Sequence, residues 1–162
     1  MKTKKLNQKQ RGFTIIEVMI VLTIAAVILL IVFLAVPALQ RSSRNTQRKN
    51  DVAAILASVN DYASNNQGQF PATAADGQFN TAYPNQQPNL SYYTDVTKVT
   101  WTKQASATAP ADPADLDTVA VYSNAKCAGN GPTVTGANAR SVIALYDVEG
   151  SGGSKVEQCQ ES

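Results

Sequence analysis

One stretch near the N-terminus decides the fold: residues 13–36 read FTIIEVMIVLTIAAVILLIVFLAV. Only Thr14, Glu17 and Thr23 interrupt the apolar residues in this stretch. As a helix it measures roughly 36 Å, which exceeds the roughly 30 Å hydrocarbon core of a bilayer. The stretch therefore predicts a membrane-spanning helix. A conventional cleaved signal peptide, whose apolar region is shorter, is the alternative.

Basic residues are concentrated ahead of this helix. The chain has 14 Lys or Arg and 12 Asp or Glu. Five of the basic residues lie within the first eleven positions: Lys2, Lys4, Lys5, Lys9 and Arg11. Positive charge beside a membrane helix favours the cytoplasmic side, although basic residues after the helix reduce the asymmetry. We therefore expect a single-pass precursor in the cytoplasmic membrane, with its N-terminus inside and in contact with membrane lipid.

The composition of the remainder excludes several functions. From Asp51 onward acidic residues outnumber basic ones, so we expect no general nucleic-acid binding by this part. The chain has no His, which is the commonest general base and nitrogen metal ligand. We therefore expect no enzyme, no cofactor and no metal site. Asp112, Asp115 and Asp117 could form a calcium loop, but Pro113 and the missing later Glu favour a solvated acidic loop.

Glu17 is a carboxylate inside the apolar stretch. An ionised side chain there costs on the order of 2.5 kcal/mol unless it is paired. Glu17 either reaches water at the membrane interface or pairs with a positive charge in the same layer. A cut between Gly12 and Phe13 would supply that charge as a free α-amine on Phe13. Glu17 of one copy could then pair with the amine of a neighbouring copy.

Residues 9–18, KQRGFTIIEV, resemble the class III signal peptide of type IV prepilins. The shared features are a basic leader, a glycine, an aromatic residue and a glutamate at the fifth position after the glycine. The resemblance implies cleavage after Gly12 by a prepilin peptidase, N-methylation of Phe13 and a role of Glu17 in assembly. It is close over the first third of the chain and extends to the remainder only in general layout.

A second helical segment follows the apolar one. Its apolar residues recur at helical spacing: Val52, Ile55, Leu56, Val59, Tyr62 and Ala63. The simplest prediction is one helix from Phe13 to Asn66, with Gly68 and Pro71 as stop signals. Pro37 should kink or loosen this helix, and an ordinary bend at the membrane exit is the alternative. Pro37 also lies later than the helix-bending proline of many pilins.

Three later runs read as β-strands: residues 91–101, 118–122 and 141–148. We therefore predict an α+β fold, in which the long helix packs on a small antiparallel sheet of three to four strands, as in the type IV pilin fold. The predicted layout is a cleaved leader (1–12), a transmembrane and filament-core helix (13–36), its amphipathic continuation (37–66) and a globular head (67–162).

Cys127 and Cys159 both lie beyond the membrane segment, in what would be an oxidising space. A disulfide between them is the natural prediction, and two unpaired thiols are the alternative. The resemblance to pilins adds that such a disulfide commonly bounds an exposed C-terminal loop.

The leading interpretation is a structural subunit of a type IV pilus used for motility, adhesion or DNA uptake. The expected partners are other copies of the chain in a homopolymer filament, the prepilin peptidase and the pilus assembly machinery in the membrane. The final location would be the extracellular pilus. A pseudopilin of a type II secretion system is the alternative, and a membrane-tethered binding module is a remote one.

Overall fold

The computed structural model describes most of the chain: residues 12–73, 77–85, 87–103, 113, 115–128, 131–133 and 140–162. The predicted leader lies outside these residues, except for Gly12. The chain divides into two compact units, Met1–Gln40 and Arg41–Ser162.

Helix α1 runs from Ile15 to Asn65, so the single long helix expected from the sequence is confirmed apart from its terminal residues. Pro37 lies inside α1 and does not end it. The helix stops where Gln67 takes a positive φ of 56° and the Gly68 N–H donates to the Ala63 carbonyl at 2.7 Å. This is the Schellman ending, which satisfies carbonyls that the last turn leaves without partners.

In the second unit, β-branched and aromatic residues form a four-stranded sheet. Its strands are β1 (Val99–Lys103), β2 (Val119–Ser123), β5 (Val142–Glu149) and β6 (Lys155–Glu161), in the order β1-β2-β5-β6. The predicted sheet is confirmed, but it is mixed rather than purely antiparallel. Strands β1 and β2 run parallel, with Val99 opposite Val119, while β2–β5 and β5–β6 are antiparallel.

The apolar face of the second half of α1 packs on this sheet. Val52, Ile55 and Val59 are fully buried in one cluster with Trp101 and Val121 of the strands. A short helix α2 (Phe79–Ala82) adds Phe79 to the same cluster. Each buried side chain of this size contributes roughly 1.5–3 kcal/mol, so the helix face and the sheet stabilise each other.

Part of the predicted first strand is not a strand. Residues 91–95 form a bend and an extended segment, and Val96–Lys98 form a 3₁₀ turn before β1 begins. Tyr92 and Tyr93 therefore do not alternate in a sheet as expected: Tyr93 enters the core and Tyr92 contacts Arg48.

A small hairpin formed by β3 (Lys126–Ala128) and β4 (Gly131–Thr133) is joined to the main sheet by a disulfide. Cys127 lies in β3 and Cys159 in β6, with 5.7 Å between their Cα atoms. The predicted disulfide is present, but Cys159 lies within an edge strand rather than at the end of a loop. The Cys127 N–H also donates to Glu161 Oε1 at 2.6 Å.

Candidate assembly site

The N-terminus of α1 is fixed by a reciprocal pair of hydrogen bonds between Thr14 and Glu17. The Glu17 N–H donates to Thr14 Oγ1 at 3.3 Å, and the Thr14 N–H donates to Glu17 Oε2 at 3.4 Å. This T-x-x-E arrangement is a capping box, which satisfies two of the N–H groups left without partners at a helix start. It explains why the helix begins at Ile15, and it directs the Glu17 carboxylate toward the chain end.

Glu17 borders an apolar groove on the first unit. Phe13, Val18, Val21 and Leu22 line this groove, which has a volume of about 290 Å³. Phe13 is 86% exposed, and Gly12 beside it is exposed as well. The bond between Gly12 and Phe13 is therefore accessible. It precedes Glu17 in the sequence and lies at the same end of α1.

The apolar surface continues along this part of α1. Its large apolar side chains from Ile15 to Leu39 are exposed. Within the described residues, α1 is the one helix long and apolar enough to cross a membrane. Such a surface requires a covering environment, because soluble proteins rarely expose contiguous apolar patches larger than a few hundred Å².

The second unit has a polar site where α1 meets the end of β5. Arg44 donates two hydrogen bonds to the Glu149 carboxylate, from Nε at 2.8 Å and from Nη2 at 2.6 Å. Arg48, only 1% exposed, lies 3.0 Å from the same carboxylate. Arg48 also donates to the Tyr92 hydroxyl, and that hydroxyl donates to Asp117.

These contacts change the pKa values of the groups that make them. The two hydrogen bonds from Arg44, followed by the one from Arg48, lower the pKa of Glu149 to about 2. The hydrogen bond to Glu149 raises the pKa of Arg44. Burial raises the pKa of the Tyr92 hydroxyl. Glu149 is therefore ionised at neutral pH and fixes two arginines of the helix.

Asp51 binds a loop to the same helix. Its carboxylate accepts hydrogen bonds from the N–H groups of Ser91, Tyr92 and Tyr93, at 2.9, 2.6 and 2.9 Å. Asp51 is 3% exposed. Three N–H groups are thus satisfied by one buried carboxylate, which accounts for the bend that replaces the predicted strand at this point.

Two aspartates of the predicted acidic loop have lysine partners. Asp115 lies 3.3 Å from Lys155, and Asp117 lies 3.6 Å from Lys98. Asp112 lies outside the described residues. These lysines balance the charge of two of the three carboxylates, and the expectation of a solvated loop stays a prediction.

The sequence-predicted site residues fall into separate groups. Phe13 and Glu17 lie together at the start of α1, while Cys127 and Cys159 lie in the second unit. Thr14 was not singled out from the sequence, although the spacing T-x-x-E before an apolar run is the known signature of a capping box. The Arg44–Glu149 pair had no local signal, because its members lie 105 positions apart.

The comparisons with known proteins identify the N-terminal region. Residues 7–33 match the family model of the prokaryotic N-terminal methylation motif. This methylation motif is characteristic of type IV pilin-like class III signal peptides, which confirms the resemblance seen in the sequence. Neither the curated proteins nor the solved structures gave a match. The motif supports a type IV pilin-like or pseudopilin protein and fits anchoring in a membrane before assembly.

Proposed function

We propose that the chain is a structural subunit of a type IV pilus. In this account a prepilin peptidase cuts after Gly12, Phe13 is N-methylated, and the subunits polymerise through the apolar part of α1. The observation that carries the proposal is the methylation motif, which coincides with an accessible Gly12–Phe13 bond, a carboxylate at Glu17 and an exposed apolar helix surface.

The proposed assembly mechanism follows from the charge of Glu17. Cleavage creates an α-amine on Phe13, which carries a positive charge at neutral pH. In an apolar layer, an amine and a carboxylate stabilise each other strongly, because each would otherwise be an unpaired charge. Glu17 of an incoming subunit therefore pairs with the Phe13 amine of a subunit already in the fibre. The apolar side chains of neighbouring helices then cover each other.

The orientation of the precursor follows from charge. The basic residues of the leader keep the N-terminus on the cytoplasmic side, and the second unit is exported. The Cys127–Cys159 disulfide supports this proposal, since disulfides persist in oxidising compartments.

A pseudopilin of a type II secretion system is the second candidate, because the methylation motif is common to both. The disulfide favours the pilus, since the resemblance to pilins includes a disulfide in this region. The pairing of Asp115 and Asp117 with lysines also favours the pilus over a calcium-binding pseudopilin head.

The test is to label surface fibres with antibodies against the second unit, in the parent strain and in a strain lacking the chain. We expect labelled fibres at native expression, loss of these fibres on deletion, and unchanged protein secretion. Unlabelled fibres together with a block in protein secretion would instead support the pseudopilin.

A further inference from the structure

Two adjoining clefts open where α1 ends in the second unit. Their volumes are about 420 and 310 Å³, and both are lined by Gln67, Gly68, Phe70 and Arg140. Volumes of this size are typical of small-molecule sites. The positive φ of Gly68, 78°, brings the backbone close to Arg140, so that a Cβ at Gly68 would lie 3.1 Å from Arg140 Nε. A side chain at position 68 would therefore need a strained backbone conformation and a small shift of Arg140.

The clefts concentrate positive charge in an acidic part of the chain. Lys103 at the end of β1 lines the smaller cleft, and Arg140 lines both. Their described lining residues include no carboxylate. By contrast, Lys98 and Lys155, at the other end of the sheet, lie beside aspartates. Lys103 and Arg140 thus line the same cleft, and no described lining residue carries a negative charge. This arrangement favours an anionic ligand.

Lys103 is held in position for such a ligand. Its ammonium donates to the Phe70 carbonyl at 3.0 Å, and its backbone N–H donates to Thr73 Oγ1 at 2.8 Å. An ammonium has three N–H donors, and among the described residues only the Phe70 carbonyl accepts from that of Lys103. A cation near the last turn of α1 also offsets the helix dipole.

Side chains that both donate and accept hydrogen bonds also line the two clefts. Asn60 lies in the last turns of α1, and Gln67 and Gln69 lie in and after the turn that follows the helix; all three are exposed. Amides match the hydroxyl groups of a sugar, which also donate and accept. We propose that these clefts bind a carboxylate-bearing saccharide, with its carboxylate between Arg140 and Lys103 and its hydroxyls on the amides. This inference goes beyond the proposed function and does not rest on it.

The test uses the full chain, labelled with ¹⁵N, in nonionic detergent micelles. Galacturonate is titrated, with galactose and acetate as separate controls. We expect galacturonate to shift the amide signals of Gln67, Gly68 and Gln69, and to bind more tightly than either control. No shift at these positions would overturn the proposal. Equal affinity for acetate would show that the sugar hydroxyls are not recognised. Equal affinity for galactose would show that the carboxylate is not recognised.

Charge variants sharpen the test. Arg140→Gln and Lys103→Gln should each weaken galacturonate binding about tenfold, because each removes a charge-assisted hydrogen bond. Lys98→Gln removes the same charge at the opposite end of β1 and should change the affinity by less than about twofold. The melting temperature of each variant checks that the fold is retained. An equal loss in Lys98→Gln would show a general charge effect and would contradict the site.

Discussion

At the scale of single residues, Glu17 has two roles that substitution can separate. Its carboxylate closes a capping box with Thr14, and in the proposed fibre it pairs with the Phe13 amine of a neighbour. Glutamine also closes capping boxes but carries no charge. Glu17→Gln therefore keeps the local helix start and removes only the ion pair.

We predict that Glu17→Gln inserts into the membrane and is cleaved normally but enters fibres poorly. Leaving one partner of a buried ion pair uncompensated costs about 3–5 kcal/mol. Because about 1.4 kcal/mol corresponds to a factor of ten in an equilibrium constant, the fibre yield should fall by more than about tenfold. Yield is measured by quantifying the chain in sheared surface material. Thr14→Ala is the matched control, since it removes the hydroxyl that accepts from the Glu17 N–H and leaves the Glu17 charge. Normal yield from Glu17→Gln would contradict the ion-pair mechanism.

Glu149 makes the stability of the second unit dependent on pH. Its pKa is lowered from 4.5 to about 2 by Arg44 and Arg48, so its contribution is fully present above pH 4.5. That contribution is lost as the pH falls from 4.5 toward 2, because the unfolded chain binds the proton more tightly. Trp101 is the only tryptophan and is fully buried, so its fluorescence reports unfolding.

We predict that Glu149→Gln lowers the free energy of unfolding at pH 7 by about 3 kcal/mol, because the buried Arg48 loses its carboxylate. The variant should also lose less stability than the parent between pH 4.5 and 2. Urea titrations followed by Trp101 fluorescence measure both quantities. Parallel pH profiles for parent and variant would contradict the role of Glu149.

At the scale of elements, the attachment of the helix to the loop before β1 depends on Asp51. We predict that Asp51→Ala lowers the free energy of unfolding by about 3 kcal/mol, since three N–H groups lose a charged acceptor. Asp61→Ala, at an exposed position of the same helix, should change it by less than about 0.5 kcal/mol. Equal effects in urea titrations would show that the Asp51 contacts do not stabilise the unit.

The disulfide joins the β3–β4 hairpin to the edge strand β6 and closes a loop with a sequence separation of 32. Constraining the unfolded chain in this way contributes about 3.7 kcal/mol. We predict a loss of this size in the Cys127→Ser/Cys159→Ser double variant. Reducing agent should destabilise the parent chain and leave the double variant unchanged, as measured by thermal unfolding. An equal effect of reductant on both would contradict the prediction.

The sequence predicted some elements better than others for physical reasons. Helix α1 and strands β2 and β5 carry strong apolar patterns, and they were found close to their true bounds. Strand β6 was missed because Lys155–Glu161 is mostly polar, as edge strands often are. The parallel pairing of β1 with β2 depends on the connection between them, and the Arg44–Glu149 pair depends on the completed fold. The Thr14–Glu17 cap was readable from its spacing.

At the scale of the whole molecule, the two units differ in whether their apolar side chains are buried or exposed. The second unit buries its apolar residues in its own core, whereas the first exposes nearly all of its large apolar side chains. The first unit therefore needs a bilayer or other copies of itself around it. In the proposed function, cleavage after Gly12 precedes the transfer of this unit from the bilayer to the fibre.

The most direct test of this central claim is the intact mass and N-terminal sequence of the chain sheared from the cell surface. We expect a chain that begins at N-methylated Phe13 and carries the Cys127–Cys159 disulfide. A chain that retains its leader up to Gly12 and stays in the membrane fraction would rule out processing and fibre assembly, and would indicate a protein held by a single uncleaved membrane anchor.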